Sequence, residues 1–180
     1  MRADIATFST TGLSSIAHQH GDIRLIIMGV DPGVASTGYG VIKASGDETV
    51  LMDYGMITTT PDIDHGERLR YIYEEVSKVL QKHRPDALAV ESLFHSRNLK
   101  SLADVSEAIG VITLAASNYS IKVTKFTPLK VKSAIVGFGK AEKEQVQLMI
   151  QHQLGLESPP EPYHVSDAIA VALCYRNLNC

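Results

Sequence analysis

The run Leu25-Ile26-Ile27-Met28-Gly29-Val30 carries no polar side chain, has the length of one strand, and closes on Asp31-Pro32-Gly33. A strand that is apolar on both faces belongs in the middle of a sheet, covered above and below. Pro and Gly then stop it. The fold is therefore built around a buried strand whose last residue is an acid.

The rest of the chain supplies partners for that strand. Gly38 to Lys43 and Thr49 to Ile57 read as two more strands, parted by Ser45-Gly46-Asp47 at hairpin spacing. Three strands with short links are antiparallel neighbours. Leu69, Ile72, Tyr73, Val76, Val79 and Leu80 recur at helical spacing, with Pro85 past the end. Ala87-Leu88-Ala89-Val90 is a short buried strand ending at Glu91. A second helix is expected from about Asn98 to Ser117, and a fifth strand from Ile121 to Phe126. Thr127-Pro128 places an N-cap and a first-turn proline at the start of a helix. Two short helices follow, one to about Val136 and one from about Lys140 to Leu154. Three prolines make Glu157 to Pro162 a loop, and a last helix runs from about His164 to Arg176. This order predicts an α/β fold. Its mixed five-stranded sheet has three antiparallel strands, then parallel crossovers, with helices on both faces.

At 180 residues this is one domain. With 44% hydrophobic and 21% charged residues, disorder is excluded. No apolar stretch approaches the roughly 18 residues of a membrane span. Cys174 and Cys180 have neither zinc-site spacing nor the makings of a disulfide framework, which fits a reducing cytoplasm. Residues 1–22 show no sustained period and no signal-peptide pattern. They are expected to be a mobile extension ahead of a domain spanning 23–180. The net charge of −3 argues against a nucleic-acid partner on average, but the average hides a surplus. Lys122, Lys125, Lys130, Lys132, Lys140 and Lys143 cluster against one acid, Glu142. A local surplus of this kind can face phosphates.

Four polar residues stand at the predicted edges. Asp31 ends the first strand, Glu91 ends the fourth, and His164 and Asp167 open the last helix on one face. If strands one and four are parallel neighbours, both acids emerge at the carboxyl end of the sheet, where open α/β sheets bind ligands. Clustered carboxylates call for a cation, and an oxygen-rich set suits Mg²⁺ or Mn²⁺. Two such ions about 4 Å apart clamp the attacking and leaving oxygens of a phosphodiester displacement. Taken singly, each residue also has a plain structural reading: a turn, a surface acid, a helix-dipole partner or a cap. Their order and placement together point to metal-assisted phosphoryl chemistry.

Several stretches resemble the RuvC-type Holliday junction resolvases. They are Asp31-Pro32-Gly33 with Thr37-Gly38-Tyr39-Gly40-Val41-Ile42, Val90-Glu91-Ser92-Leu93-Phe94, and Val131-Lys132 with Val136-Gly137-Phe138-Gly139-Lys140-Ala141-Glu142-Lys143-Glu144-Gln145-Val146. The fourth is Ser166-Asp167-Ala168-Ile169-Ala170-Val171-Ala172. The resemblance covers about Arg24 to Tyr175. It implies an RNase H-like fold, a homodimer, and paired symmetric nicking of four-way junction DNA with two Mg²⁺ per site, Mn²⁺ substituting. It implies that Asp31, Glu91 and Asp167 are catalytic metal-binding carboxylates. His164 stands where the family often has Asp, as a metal ligand or a group that orients or deprotonates the attacking water. Lys132 and Lys143 match positions that face DNA phosphates. Phe94 matches a wedge at the junction centre, with Arg97 and Lys100 beside it in a DNA-binding stretch. The resemblance also implies a branch-migration helicase complex of the RuvA and RuvB type as partner. Two other readings remain at this stage: a junction-binding module without catalysis, and a nucleotide phosphotransfer domain of related fold. The second lacks a GxxxxGK[ST] loop.

Overall fold

The computed structural model describes residues 24–92 and 99–180. The elements are β1 (Arg24–Asp31), β2 (Ser36–Ser45), β3 (Glu48–Thr58), α1 (His65–His83), β4 (Ala87–Glu91), α2 (Leu99–Asn118), β5 (Lys122–Phe126), α3 (Pro128–Val136), α4 (Lys143–Leu154) and α5 (Tyr163–Asn179). The sheet order is β3-β2-β1-β4-β5. β1 pairs antiparallel with β2 and parallel with β4, and β4 pairs parallel with β5. The predicted fold class and element order stand. The expected mobile extension, residues 1–22, lies outside the described residues.

Burial is continuous from Ile27 to Val30 of β1 because each face of the strand meets a different helix layer. Met28 and Val30 point to a core with Ile72, Val76 and Leu80 of α1 and Ile109, Ile112, Ala115 and Ala116 of α2. Ile27 points to the other core, formed with α5, α3 and α4. Helix α1 shows how local signals set an element. Asp64 caps it by accepting from the Gly66 N–H, and Arg84 ends it in the left-handed region with φ 45°.

Helix α5 is buried from Val165 through Cys174 apart from a half-buried Asp167. It lies close on the sheet because the rungs beneath it are glycine. Ile27 pairs with Ile42, Gly29 with Gly40, and Asp31 with Gly38. A Cβ at Gly29 would stand 2.1 Å from the Ala168 carbonyl oxygen, and one at Gly38 would stand 2.0 Å from the His164 carbonyl oxygen. Glycine inside a strand often marks such an approach.

Several boundaries differ from expectation, and β2 runs Ser36–Ser45 rather than Gly38 to Lys43. Helix α4 starts at Lys143, not about Lys140. Glu142 accepts at the helix start while Gln145 accepts from the Glu142 N–H at 2.9 Å, a reciprocal cap that sets the first turn. Ala141 is buried in the preceding loop. Helix α5 continues to Asn179.

Candidate active site at the carboxyl end of the sheet

The turn after β1 is tied by a buried threonine. Thr37 Oγ1 donates to the Gly33 carbonyl at 2.7 Å and accepts from the Gly33 N–H at 3.3 Å. This fixes the chain leaving Asp31. The parallel register Gly29–Ala89 and Val30–Val90 carries on to place Asp31 beside Glu91 at the strand ends. Ser92 extends β4 by one more bond, from its N–H to the Phe126 carbonyl at 2.8 Å. From the other side, the first turns of α5 lower His164 and Asp167 onto the strand ends.

The structure brings all four predicted residues to this end. His164 Nδ1 lies 2.7 Å from Asp31 Oδ2, across 133 positions of sequence. An ionised carboxylate only accepts, so Nδ1 donates and a neutral ring keeps its lone pair on Nε2. Lys143 Nζ lies 3.2 Å from Asp167 Oδ2. The starts of α4 and α5 are joined further by Tyr163 donating to Glu144 at 3.0 Å and by Lys143 standing 5.1 Å over the Tyr163 ring.

The carboxylates disfavour one another. Burial raises the Asp31 pKa, the His164 hydrogen bond opposes that rise, and the Asp167 charge adds to it. Burial also pushes Glu91 up to about 8, helped by the charges of Asp31 and Asp167 and resisted by Lys143 and Lys132. Three carboxylates and an imidazole gathered at one strand end form a donor set that fits a hard divalent metal.

This has a consequence for stability. A glutamic acid whose folded pKa lies above its unfolded value of 4.5 binds extra protons in the native state. Its contribution therefore falls as pH rises from 4.5 towards 8, with the full penalty above that. Glu91→Gln removes the penalty. In EDTA at pH above 8 the variant is expected to melt a few degrees higher than the parent, with the difference fading towards pH 4.5. Thermal unfolding at both ends of the range checks this; equal melting temperatures above pH 8 would contradict the assignment.

The lysines divide. Lys143 faces the acids. Lys132 does not simply project into solvent, since its Nζ donates to the Ala141 carbonyl at 2.5 Å and its charge reaches Glu91. Phe94, Arg97 and the Lys100 side chain lie outside the described residues. The small residues of α2 also divide: Ala108, Ala115 and Ala116 are buried against the sheet, while a Cβ at Gly110 would meet open space.

A second group with metal-ligand chemistry lies on the opposite face of the sheet. His65 of α1 and Asp104 and Glu107 of α2 hold their ligand atoms within 4.8 Å of one another. It has the His/Asp/Glu donor set of a divalent-metal site and shares no residue with the four above. Sequence reading passed over it, because its members sit about 40 positions apart on two helices. His65 Nε2 and Glu107 Oε2, both exposed, also form a hydrogen bond at 2.5 Å. Sequence reading gave no role to Gly29 and Gly38 beneath α5 either; the signal available was glycine inside two otherwise apolar strands.

A mixed sheet in this order, with acids at the carboxyl ends of its adjacent strands β1 and β4 and a helix carrying Asp167 laid over them, defines the RNase H-like class. Within that class the comparisons are specific. The family model for crossover junction endodeoxyribonuclease RuvC matches residues 27–175. The crossover junction endodeoxyribonuclease RuvC of Ruminiclostridium cellulolyticum is 45% identical over 153 residues, covering 85% of this chain and 92% of that protein. That of Syntrophomonas wolfei is 44% identical over 149 residues, covering 83% and 87%. Thermus thermophilus RuvC superposes with a TM-score of 0.80 at 35% identity, covering 85% of this chain and 94% of that one. The same protein in complex with Holliday junction substrate gives 0.81 at 35% identity, covering 84% and 93%. The yeast mitochondrial resolvase Ydc2, 11% identical with a TM-score of 0.60, shares the fold. The chain belongs to the RuvC family of crossover junction endodeoxyribonucleases.

Proposed function

We propose that the protein is a structure-specific endonuclease that resolves four-way Holliday junctions by paired, symmetric nicks in recombination and repair. The observation that carries this is the meeting of Asp31, Glu91, His164 and Asp167 at one end of a RuvC-type sheet, beside Lys143. Asp31, Glu91, Asp167 and His164 would hold two Mg²⁺, for which Mn²⁺ would substitute, and ions bound there would activate water and neutralise the charge that builds on the scissile phosphate. The protein's own groups set the stage. The Asp31 carboxylate fixes the His164 ring through Nδ1, leaving Nε2 for the metal or the attacking water. Lys143 offsets the acids and steers the phosphate in.

Lys143 and Lys132 with Phe94 and Arg97 form the DNA-facing set. Each lysine that contacts a phosphate contributes roughly one unit to the slope of log affinity against log salt. Lys143→Ala is expected to flatten that slope by about one for a synthetic junction; a slope equal to the parent's would remove the lysine from the interface.

A four-way junction has approximate two-fold symmetry, so a two-fold homodimer with one site per subunit places both cuts. The outward side of α2, with exposed Leu114 and open Gly110, is the face we assign to that contact. Among the described residues no helix is long and apolar enough to cross a membrane. On this reading the protein works on DNA in the cytoplasm beside a RuvA and RuvB type branch-migration complex. Residues 23–180 form the nuclease domain, and catalysis does not need residues 1–22.

A further inference from the structure

The loop between α3 and α4 exposes an aromatic ring that neither core takes up. Phe138 is 49% exposed, and Leu129 on the first turn of α3 is 64% exposed. Leaving two large apolar side chains in water is costly, and an apolar patch on a surface commonly marks a binding site.

The loop holds the ring in place. Gly137, with φ 93°, ends α3 through its N–H to the Ser133 carbonyl at 3.0 Å. Lys132 holds the far side of the loop through the Ala141 carbonyl. The Glu142–Gln145 cap fixes its exit into α4. Phe138 therefore stands on a loop pinned at its entry and at its exit.

The loop also sits at the catalytic end. α3 begins where β5 ends, and the backbone of β5 at Phe126 bonds to Ser92, one residue past Glu91. A Cβ at Gly139 would meet Leu129 Cγ at 2.7 Å, so the loop folds back over the first turn of α3. Four residues later the chain delivers Lys143 to Asp167. Lys130, Lys140 and Lys143 surround the ring in sequence, with Glu142 the one acid among residues 129–143.

An exposed aromatic among lysines is the chemistry of a platform for unstacked bases: the cations follow the backbone and the ring takes a base face. We propose that Phe138 is a DNA-contacting residue that stacks on an unpaired base of the bound junction beside the cleavage site. This rests on the reading of the protein as a junction resolvase and adds a contact to it. Paired duplex, whose bases are already stacked, offers the ring no such partner.

The chain contains no tryptophan, so Phe138→Trp installs a single fluorophore at the position in question. The full-length variant is titrated in EDTA, which prevents cutting, with a synthetic four-way junction and with a duplex of the same arm sequence. The expected result is quenching of the tryptophan that saturates with junction binding and is much weaker with duplex. Phe138→Ala is expected to weaken junction binding by roughly 5- to 150-fold, the range for loss of one base–aromatic stack. Phe138→Tyr is expected to restore it and Phe138→Leu is not, since leucine keeps the apolar bulk without the ring. Emission that stays constant while a gel shift reports binding would overturn the proposal, as would parental affinity in Phe138→Ala. A parent protein that neither binds nor cuts junctions would overturn the underlying reading, and this proposal with it.

Discussion

Replacing Gly29 with alanine is expected to cost the protein about 3 kcal/mol or more, the upper range for overpacking a core. The added Cβ would lie 2.1 Å from the Ala168 carbonyl oxygen and 2.5 Å from the Ala172 N. Both are backbone atoms of a buried helix, so no rotamer relieves the clash. α5 has to lift from the sheet. At roughly 2–4 °C per kcal/mol for a chain of this size, the melting temperature falls by about 6–12 °C. Gly38→Ala acts at the other end of the same contact, 2.0 Å from the His164 carbonyl oxygen. The first turn of α5 is less enclosed there than its middle, so the helix end gives way and the fold survives. What is lost is the 2.7 Å contact of His164 with Asp31. Gly38→Ala is therefore expected to melt nearer the parent than Gly29→Ala but to cut junctions far more slowly, with junction affinity largely kept. Parental melting in Gly29→Ala, or parental cutting in Gly38→Ala, would show that α5 does not need its glycine bed.

These two glycines mark where sequence reading reaches its limit. The strands, their order and their terminal acids were legible because each rests on local signals: an apolar run, a turn, a helical period. Pairing β1 with β4 brought Asp31 and Glu91 to one end by topology alone. The depth at which α5 lies was not legible, because it depends on Gly29, Gly38 and Gly40 of two strands meeting Ala168, Ala172 and Ile169 from the far end of the chain. The start of α4 was missed for a smaller reason. Helical propensity in Lys140-Ala141-Glu142 is outweighed by burial of Ala141 and the reciprocal cap at Glu142. The bond of Lys132 to the Ala141 carbonyl was not legible either, since it depends on a loop conformation that spacing does not encode. The side of α2 that faces the sheet is set by tertiary packing, which puts Ala108, Ala115 and Ala116 inward and Gly110 outward.

The second large effect lies in the acids themselves. Asp31→Asn keeps the size and hydrogen-bonding reach of the side chain and removes its charge, so the basic surface and the fold persist. A metal-assisted displacement draws several kcal/mol from its ions, and tenfold in rate corresponds to about 1.4 kcal/mol. Loss of one ligand is therefore expected to slow cutting by roughly 10³-fold or more, with Asp167→Asn behaving alike. His164→Ala is expected to lose most of the rate and His164→Asp to keep much of it, since a carboxylate is another hard donor for the same place.

The most direct test is a single gel. A synthetic four-way junction labelled on each strand in turn is incubated with the parent protein and with Asp31→Asn, each in Mg²⁺ and in EDTA, with binding followed in parallel by mobility shift. The account predicts paired nicks at symmetric positions by the parent in Mg²⁺ alone. It predicts none by Asp31→Asn, and shifted junction in every lane. Junction bound but never cut by the parent in Mg²⁺, or cut by Asp31→Asn at the parental rate, would contradict it.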